Sequence, residues 1–285
     1  MVNPVWGAAW GYAAAVGALY VLQDRLVFPV HATPAPSRPL PPGTSHWQIE
    51  VAPDTVIRGV HLRPRETTAA GTVLAFGGNC HNAQDLAAFL GERLPDRHVV
   101  VFHYRGYAPS QGKPSERAIC EDAEIVFDET QARLGATPTV ALGFSLGSGV
   151  AAHLAASRPL AGAVLVTPFD SVLNVGRQRY WWAPVKPLLK HRFDSHGKLR
   201  ERAVPIAVLA AGRDEVVPPD RTRALMTALA RPVFHRTFGD ATHRSIYDEP
   251  DFPQALMAGV AAVQAAATGV VAAGAARTRQ EPCSA

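Results

Sequence analysis

Ser145 sits between Gly143 and Gly147 in ALGFSLGSGVAAHLAA (141–156), where an apolar β-type run passes directly into small helix-forming residues. A strand that turns at once into a helix brings two backbones close together, and side chains flanking the turn would collide. Glycine on both sides relieves the collision. The turn strains the central residue and lifts its side chain above the sheet edge, where the new helix aims free N–H groups. A serine held this way is a candidate nucleophile. The plain alternative is a tight turn with an incidental N-cap serine.

A serine hydroxyl needs a base, and the base needs an orienting acid. In AAGRDEVVPP, Asp214 lies just beyond the apolar run 205–212; in TFGDATHRS, His243 lies just beyond 232–238. Separately, Asp214 reads as a helix-start carboxylate and His243 as a solvated loop histidine. Together they supply the order Ser, acid, His in three loops. Asp170, Glu215 and Asp240 are rival acids. Acyl transfer also needs donors for a developing oxyanion. The backbone N–H of Leu146 is one candidate. The N–H of Asn79, in the FGGNCHN loop, is the other, because Gly77 and Gly78 permit close backbone approach. Cys80 reads as a small filler.

These loops must be positioned by a scaffold. Apolar strand-like runs at 71–78, 98–106, 138–144, 162–169, 205–212 and 232–238 alternate with helix-like runs at 82–94, 115–134, 145–156, 219–230 and 251–266. Segments 46–51 and 56–62 read as a hairpin. Continuous apolar strands separated by helices imply a mostly parallel sheet covered on both faces. Ligands on such sheets bind beyond the carboxyl ends of the strands, where Ser145, Asp214 and His243 fall. The 285 residues suffice for one α/β domain with appendages. The net charge of +4 is scattered, which argues against a nucleic-acid partner. Three distant cysteines form no disulfide or zinc pattern, and nothing points to a metal or organic cofactor.

With these residues in place, the chain resembles the α/β-hydrolase-domain serine hydrolases. It most resembles a membrane-anchored group with an HGNAGN oxyanion loop and a YRGYGxSxGxPSE segment. Here those stretches read GGNCHN (77–82) and YRGYAPSQGKPSE (104–116), beside GFSLGSG, GRDEVVPP and DATH. The resemblance covers roughly 26–266 and implies an α/β-hydrolase fold with a Ser145–Asp214–His243 triad. There are two departures: Gly77 stands where the group has histidine, and His81 where it has the loop glycine. Arg105 reads as a residue that pins loops, with anion binding as the alternative.

Val5–Leu22 is uncharged and, as a helix, about 27 Å long at 1.5 Å per residue, close to a bilayer core of roughly 30 Å. It is expected to be a single-pass membrane anchor within 1–25, with a cleaved signal peptide or a soluble capping helix as alternatives. Arg25 and Arg38 follow the span, and the positive-inside rule then places the catalytic domain in the cytoplasm. Residues 26–45 read as a Pro-rich linker, 46–270 as the hydrolase domain and 271–285 as a flexible tail. Residues 171–202, rich in aromatic and basic side chains, read as a small cap insertion. Its Tyr180, Trp181 and Trp182, with Tyr107 and Phe144, are the pocket candidates; the alternative for the cap is a helix with a solvated basic face. The function expected is hydrolysis of ester, thioester or lipid-like acyl bonds. The alternatives are a serine peptidase of the same fold and a non-catalytic membrane-bound scaffold. The residues leave the oligomeric state open.

Overall fold

The computed structural model describes residues 4–66, 69–79 and 81–278. Cys80 and the tail beyond Thr278 lie outside the described residues. Strands β1 (Ser45–Ala52), β2 (Thr55–Leu62), β3 (Thr72–Phe76), β4 (His98–Phe102), β5 (Thr139–Phe144), β6 (Gly162–Val166), β7 (Ile206–Ala211) and β8 (Pro232–Phe238) form one sheet in the order β1-β2-β4-β3-β5-β6-β7-β8. β1 and β2 form the antiparallel hairpin, and β2 meets β4 antiparallel. Every other pairing is parallel. β3, β5, β6 and β7 are buried along their whole length, which is why they read as unbroken apolar runs.

Helices α2 (Ala83–Arg93), α3 (Glu116–Leu134), α4 (Leu146–Ser157) and α9 (Phe252–Thr278) cover the sheet. The Asn82 side chain accepts from Gln84 N–H at 2.9 Å and the Ser115 Oγ from Ala118 N–H at 3.2 Å. Each satisfies a donor that a helix start leaves open. The core lies in two apolar layers. Leu74, Val100, Val150 and Phe193 fill one, and Val73, Val99, Leu142 and Leu256 the other. α9 continues to Thr278, beyond the end expected near Ala266. Between β6 and β7 the chain forms three short helices, α5 (Val172–Arg179), α6 (Val185–Leu188) and α7 (Ser195–Leu199). α8 (Pro219–Met226) follows β7.

The N-terminal segment differs from the expectation in two ways. It forms helix α1 (Pro4–Val27), yet among the described residues no helix is long and apolar enough to cross a membrane. The single-pass anchor, and the cytoplasmic placement that rested on it, are corrected accordingly. The physical reason is composition: half of the run Val5–Leu22 is Ala and Gly, which offer little apolar area per residue. α1 instead docks on its own domain. Buried Gln23 donates to Leu188 O at 3.2 Å and accepts from Lys190 N–H at 2.8 Å. Tyr12 Oη donates to Trp182 O at 3.2 Å.

The Pro-rich stretch is likewise no free spacer. Phe28 is buried in the core, and the Ser37 and Arg38 N–H groups donate to Asp85 Oδ1 at 2.8 Å. The Asn82 side chain donates to Pro34 O at 3.1 Å. An anionic partner for two amides and a buried ring hold the segment against the sheet domain.

Candidate functional site

The β5–α4 junction is built as its glycines require. A side chain on Gly143 would run into the Gly147 carbonyl, and one on Gly147 would run into the Phe76 carbonyl on β3. Ser145 adopts φ 49° and ψ −116°, a strained conformation for a residue with a Cβ. Its surroundings hold it there. Ser145 N–H donates to Val166 O at 2.9 Å, while its carbonyl accepts from Ser148 N–H at 2.9 Å and Ser148 Oγ at 2.6 Å.

Three loops meet at this serine. His243 Nε2 is 2.9 Å from Ser145 Oγ, and its Nδ1 is 2.9 and 2.8 Å from the two carboxylate oxygens of Asp214. Asp214 and His243 are both buried. The Val216 and Val217 N–H groups donate to Asp214 Oδ1 at 2.9 and 2.7 Å, orienting the carboxylate towards the imidazole. Glu215 accepts from His243 N–H at 3.0 Å, a bond that holds its carboxyl below the ordinary value.

The rival acids are engaged elsewhere. Asp170 accepts from Ser171 N–H at 2.8 Å and Asn174 Nδ2 at 2.6 Å, and it pairs with Arg221 at 3.4 Å. It organises the start of α5. Asp240 pairs with Arg213 at 2.7 Å.

The loop after β3 packs its backbone on the serine, since a Cβ at Gly78 would lie 3.2 Å from Ser145 Cβ. Asn79 is held by its side chain, which donates to Val27 O at 3.0 Å and accepts from Tyr107 Oη at 3.1 Å. Tyr104 Oη donates to Gly77 O at 2.7 Å. The two departures at Gly77 and His81 are linked in space. A Cβ at 77 would come 2.9 Å from His81 Cβ, and Gly78 N–H donates to His81 Nδ1 at 3.2 Å. His81 thus fills the space beside Gly77, with its ring against Phe144 and Tyr247. Burial, helped by the nearby His243, lowers its pKa to about 4, so it is neutral at physiological pH. Arg105 forms a two-pronged pair with buried Asp122 of α3, and so has the pinning role, through a carboxylate.

Ser145, Leu146 and Asn79 open into a cavity of about 640 Å³ lined mainly by apolar side chains. Of the five pocket candidates only Tyr180 lines it. Phe144 is buried behind the elbow against His81 and Tyr247. Tyr107 is buried beneath the Asn79 loop. Trp181 is 82% exposed on the outside of the cap, and Trp182 packs against Tyr12. The cap backbone turns these rings away from the serine. Conversely, Val16, Leu19 and Leu26 of α1 do line the cavity. Their helical spacing is the signal the sequence carries, and it is the same for a stripe that faces lipid.

A family model described as the alpha/beta hydrolase fold matches residues 72–196. An uncharacterized protein of Mycobacterium tuberculosis is 32% identical over 219 residues, covering 74% of this chain and 76% of that one. The chain belongs to the α/β-hydrolase family. Lysophosphatidylserine lipase ABHD12 of Mus musculus is 31% identical over 189 residues, covering 56% of this chain and 47% of that protein. The chain thus spans about half of that lipase. Among solved structures, an α/β hydrolase of Vibrio vulnificus superposes with a TM-score of 0.61 at 17% identity, covering 76% of this chain and 81% of that one. An esterase of Pyrococcus furiosus gives 0.61 at 15% identity, covering 80% and 98%. At such identities these two show the α/β-hydrolase fold alone.

Proposed function

We propose that this α/β hydrolase is a serine hydrolase that cleaves ester or thioester bonds of lipid-like acyl substrates. The observation that carries the reading is the unbroken hydrogen-bonded series from Ser145 Oγ through His243 to Asp214, opening into an apolar cavity. Ser145 Oγ attacks the acyl carbonyl carbon and its proton passes to His243 Nε2. Asp214 holds the proton-bearing Nδ1 and stabilises the imidazolium. The N–H groups of Leu146 and Asn79 face the oxyanion of the tetrahedral intermediate. His243 then protonates the leaving alkoxide or thiolate, and the C–O or C–S bond breaks to leave an acyl-serine. Water, deprotonated by His243, attacks that ester. Its collapse returns the proton to Ser145 and releases the carboxylic acid.

The acyl class is supported by the cavity wall, where Leu and Val side chains predominate and offer an alkyl chain contact, beside the charged Arg179, Glu215 and Arg244. That ABHD12, a relative at 31% identity, is a lysophosphatidylserine lipase agrees with that class. The test is labelling with a fluorophosphonate probe, followed by a panel of p-nitrophenyl acyl esters. Wild type is expected to label and to hydrolyse the esters, and Ser145→Ala to do neither. Wild-type ester turnover retained by Ser145→Ala overturns the assignment.

A further inference from the structure

We propose that helix α1 is the wall of the acyl site that sets its chain-length preference; this rests on the hydrolase reading above. From Gly11 to Val27 the side chains that are not exposed are Val16, Leu19, Gln23 and Val27, spaced by three, four and four. That is one face of an α-helix. The same face, joined by Tyr20 and Leu26, lines the cavity into which Ser145 opens. The opposing wall comes from α5 and the segment after it, through Val172, Val175 and Leu188. An alkyl chain extending from an acyl-serine therefore runs between α1 and the cap, and the bulk of the α1 side chains limits its length.

The position of this wall is enforced. Gln23 sits at the centre of the stripe, and its amide bonds Tyr20 O, Leu188 O and Lys190 N–H, so no polar atom of its head is left for the cavity to solvate. Asp24 meets His191 at 3.1 Å and Lys190 at 3.8 Å. Lys190 also lies over the Tyr20 ring, 4.9 Å from its centroid. Just below, Asn79 donates to Val27 O, so the end of α1 and the loop of the oxyanion candidate are joined by one hydrogen bond. The outer face of the same helix carries Val21, 72% exposed and outside the cavity lining, which serves as an internal control.

The experiment compares full-length wild type, Leu19→Trp and Val21→Trp. The readout is the ratio of kcat/KM for p-nitrophenyl dodecanoate to that for p-nitrophenyl acetate. Leu19→Trp is expected to lower the ratio tenfold or more, and Val21→Trp to leave it within twofold. In parallel, 11-(dansylamino)undecanoic acid is titrated into the same chains carrying Ser145→Ala, with fluorescence as the signal. Leu19→Trp is expected to weaken its Kd at least fivefold and Val21→Trp to leave it unchanged. An unchanged ratio and Kd in Leu19→Trp, or equal effects of the two tryptophans, overturns the role of α1. If wild type fails to label with fluorophosphonate, the hydrolase reading falls separately, and the binding titration still decides whether α1 walls the cavity.

Discussion

Replacing Asp214 by Asn keeps the shape of the side chain and removes its charge. Asn Oδ1 can still accept from the Val216 and Val217 N–H groups at the observed 2.9 and 2.7 Å. The amide NH₂ then occupies the place of Oδ2, 2.8 Å from His243 Nδ1. Two donors cannot face each other there, so Nδ1 must become the acceptor and the ring proton moves to Nε2, which then cannot take the proton of Ser145. The pair is buried, with the side chains of His243 and Asp214 only 11% and 3% exposed, so the lost charge is weakly screened. A hydrogen bond to a charged group contributes about 1.5–3 kcal/mol, and two unit charges at about 4 Å attract by about 4 kcal/mol at an effective dielectric of 20. These contributions overlap, giving a loss of about 4–5.5 kcal/mol in the transition state, or about 10³–10⁴ in kcat. The assay is ester turnover by Asp214→Asn beside Asp170→Asn, with thermal melts of both. Asp170 is buried but serves α5 and Arg221 rather than His243, so Asp170→Asn should lower Tm yet keep turnover within about threefold, under about 0.7 kcal/mol in the barrier. Retention of more than a tenth of wild-type turnover by Asp214→Asn, or an equal loss in Asp170→Asn, refutes the assignment of the acid.

Gly147→Ala would drive a methyl into the Phe76 carbonyl; it is expected to lower unfolding free energy by about 2–4 kcal/mol and to abolish labelling of Ser145, both read on the same purified protein. His103 is buried, its Nε2 has no hydrogen-bond partner among the described residues, and burial lowers its pKa to about 4 from 6.5. Between pH 6.5 and 4 the unfolded chain binds a proton that the folded chain refuses, so stability falls as pH falls through that window; His103→Leu should flatten the dependence of Tm on pH there, and an unaltered slope counts against it. Trp181→Ala, on the outer side of the cap, should leave both Tm and acyl-chain preference unchanged, whereas a shifted preference would place Trp181 in the substrate path.

Much of this molecule could be read without coordinates because the relevant signals are local. Gly143 answers to the Gly147 carbonyl four residues on, although Gly147 itself answers to the Phe76 carbonyl of β3. Asn82 and Ser115 announce helix starts through bonds spanning two or three residues. The fully buried strands show themselves as apolar runs because both sheet faces are covered. The positions of Asp214 and His243 followed from the rule that loops at the carboxyl ends of parallel strands converge. What only the tertiary structure decided depends on contacts across long separations. Whether α1 leaves the protein or folds back onto it turns on Gln23 meeting Leu188 and Lys190, and on Tyr12 meeting Trp182. An apolar stripe has the same pattern whether it faces lipid or a cavity. Which carboxylate lies beside His243, Asp214 rather than Asp170, likewise depends on how the folded chain brings distant loops together. The pocket followed the same rule: of the aromatic candidates only Tyr180 reached the cavity, the others turning inward to the core or outward to solvent, because side-chain direction is set by packing. The wall beside Ser145 came instead from a helix more than a hundred residues away in the chain.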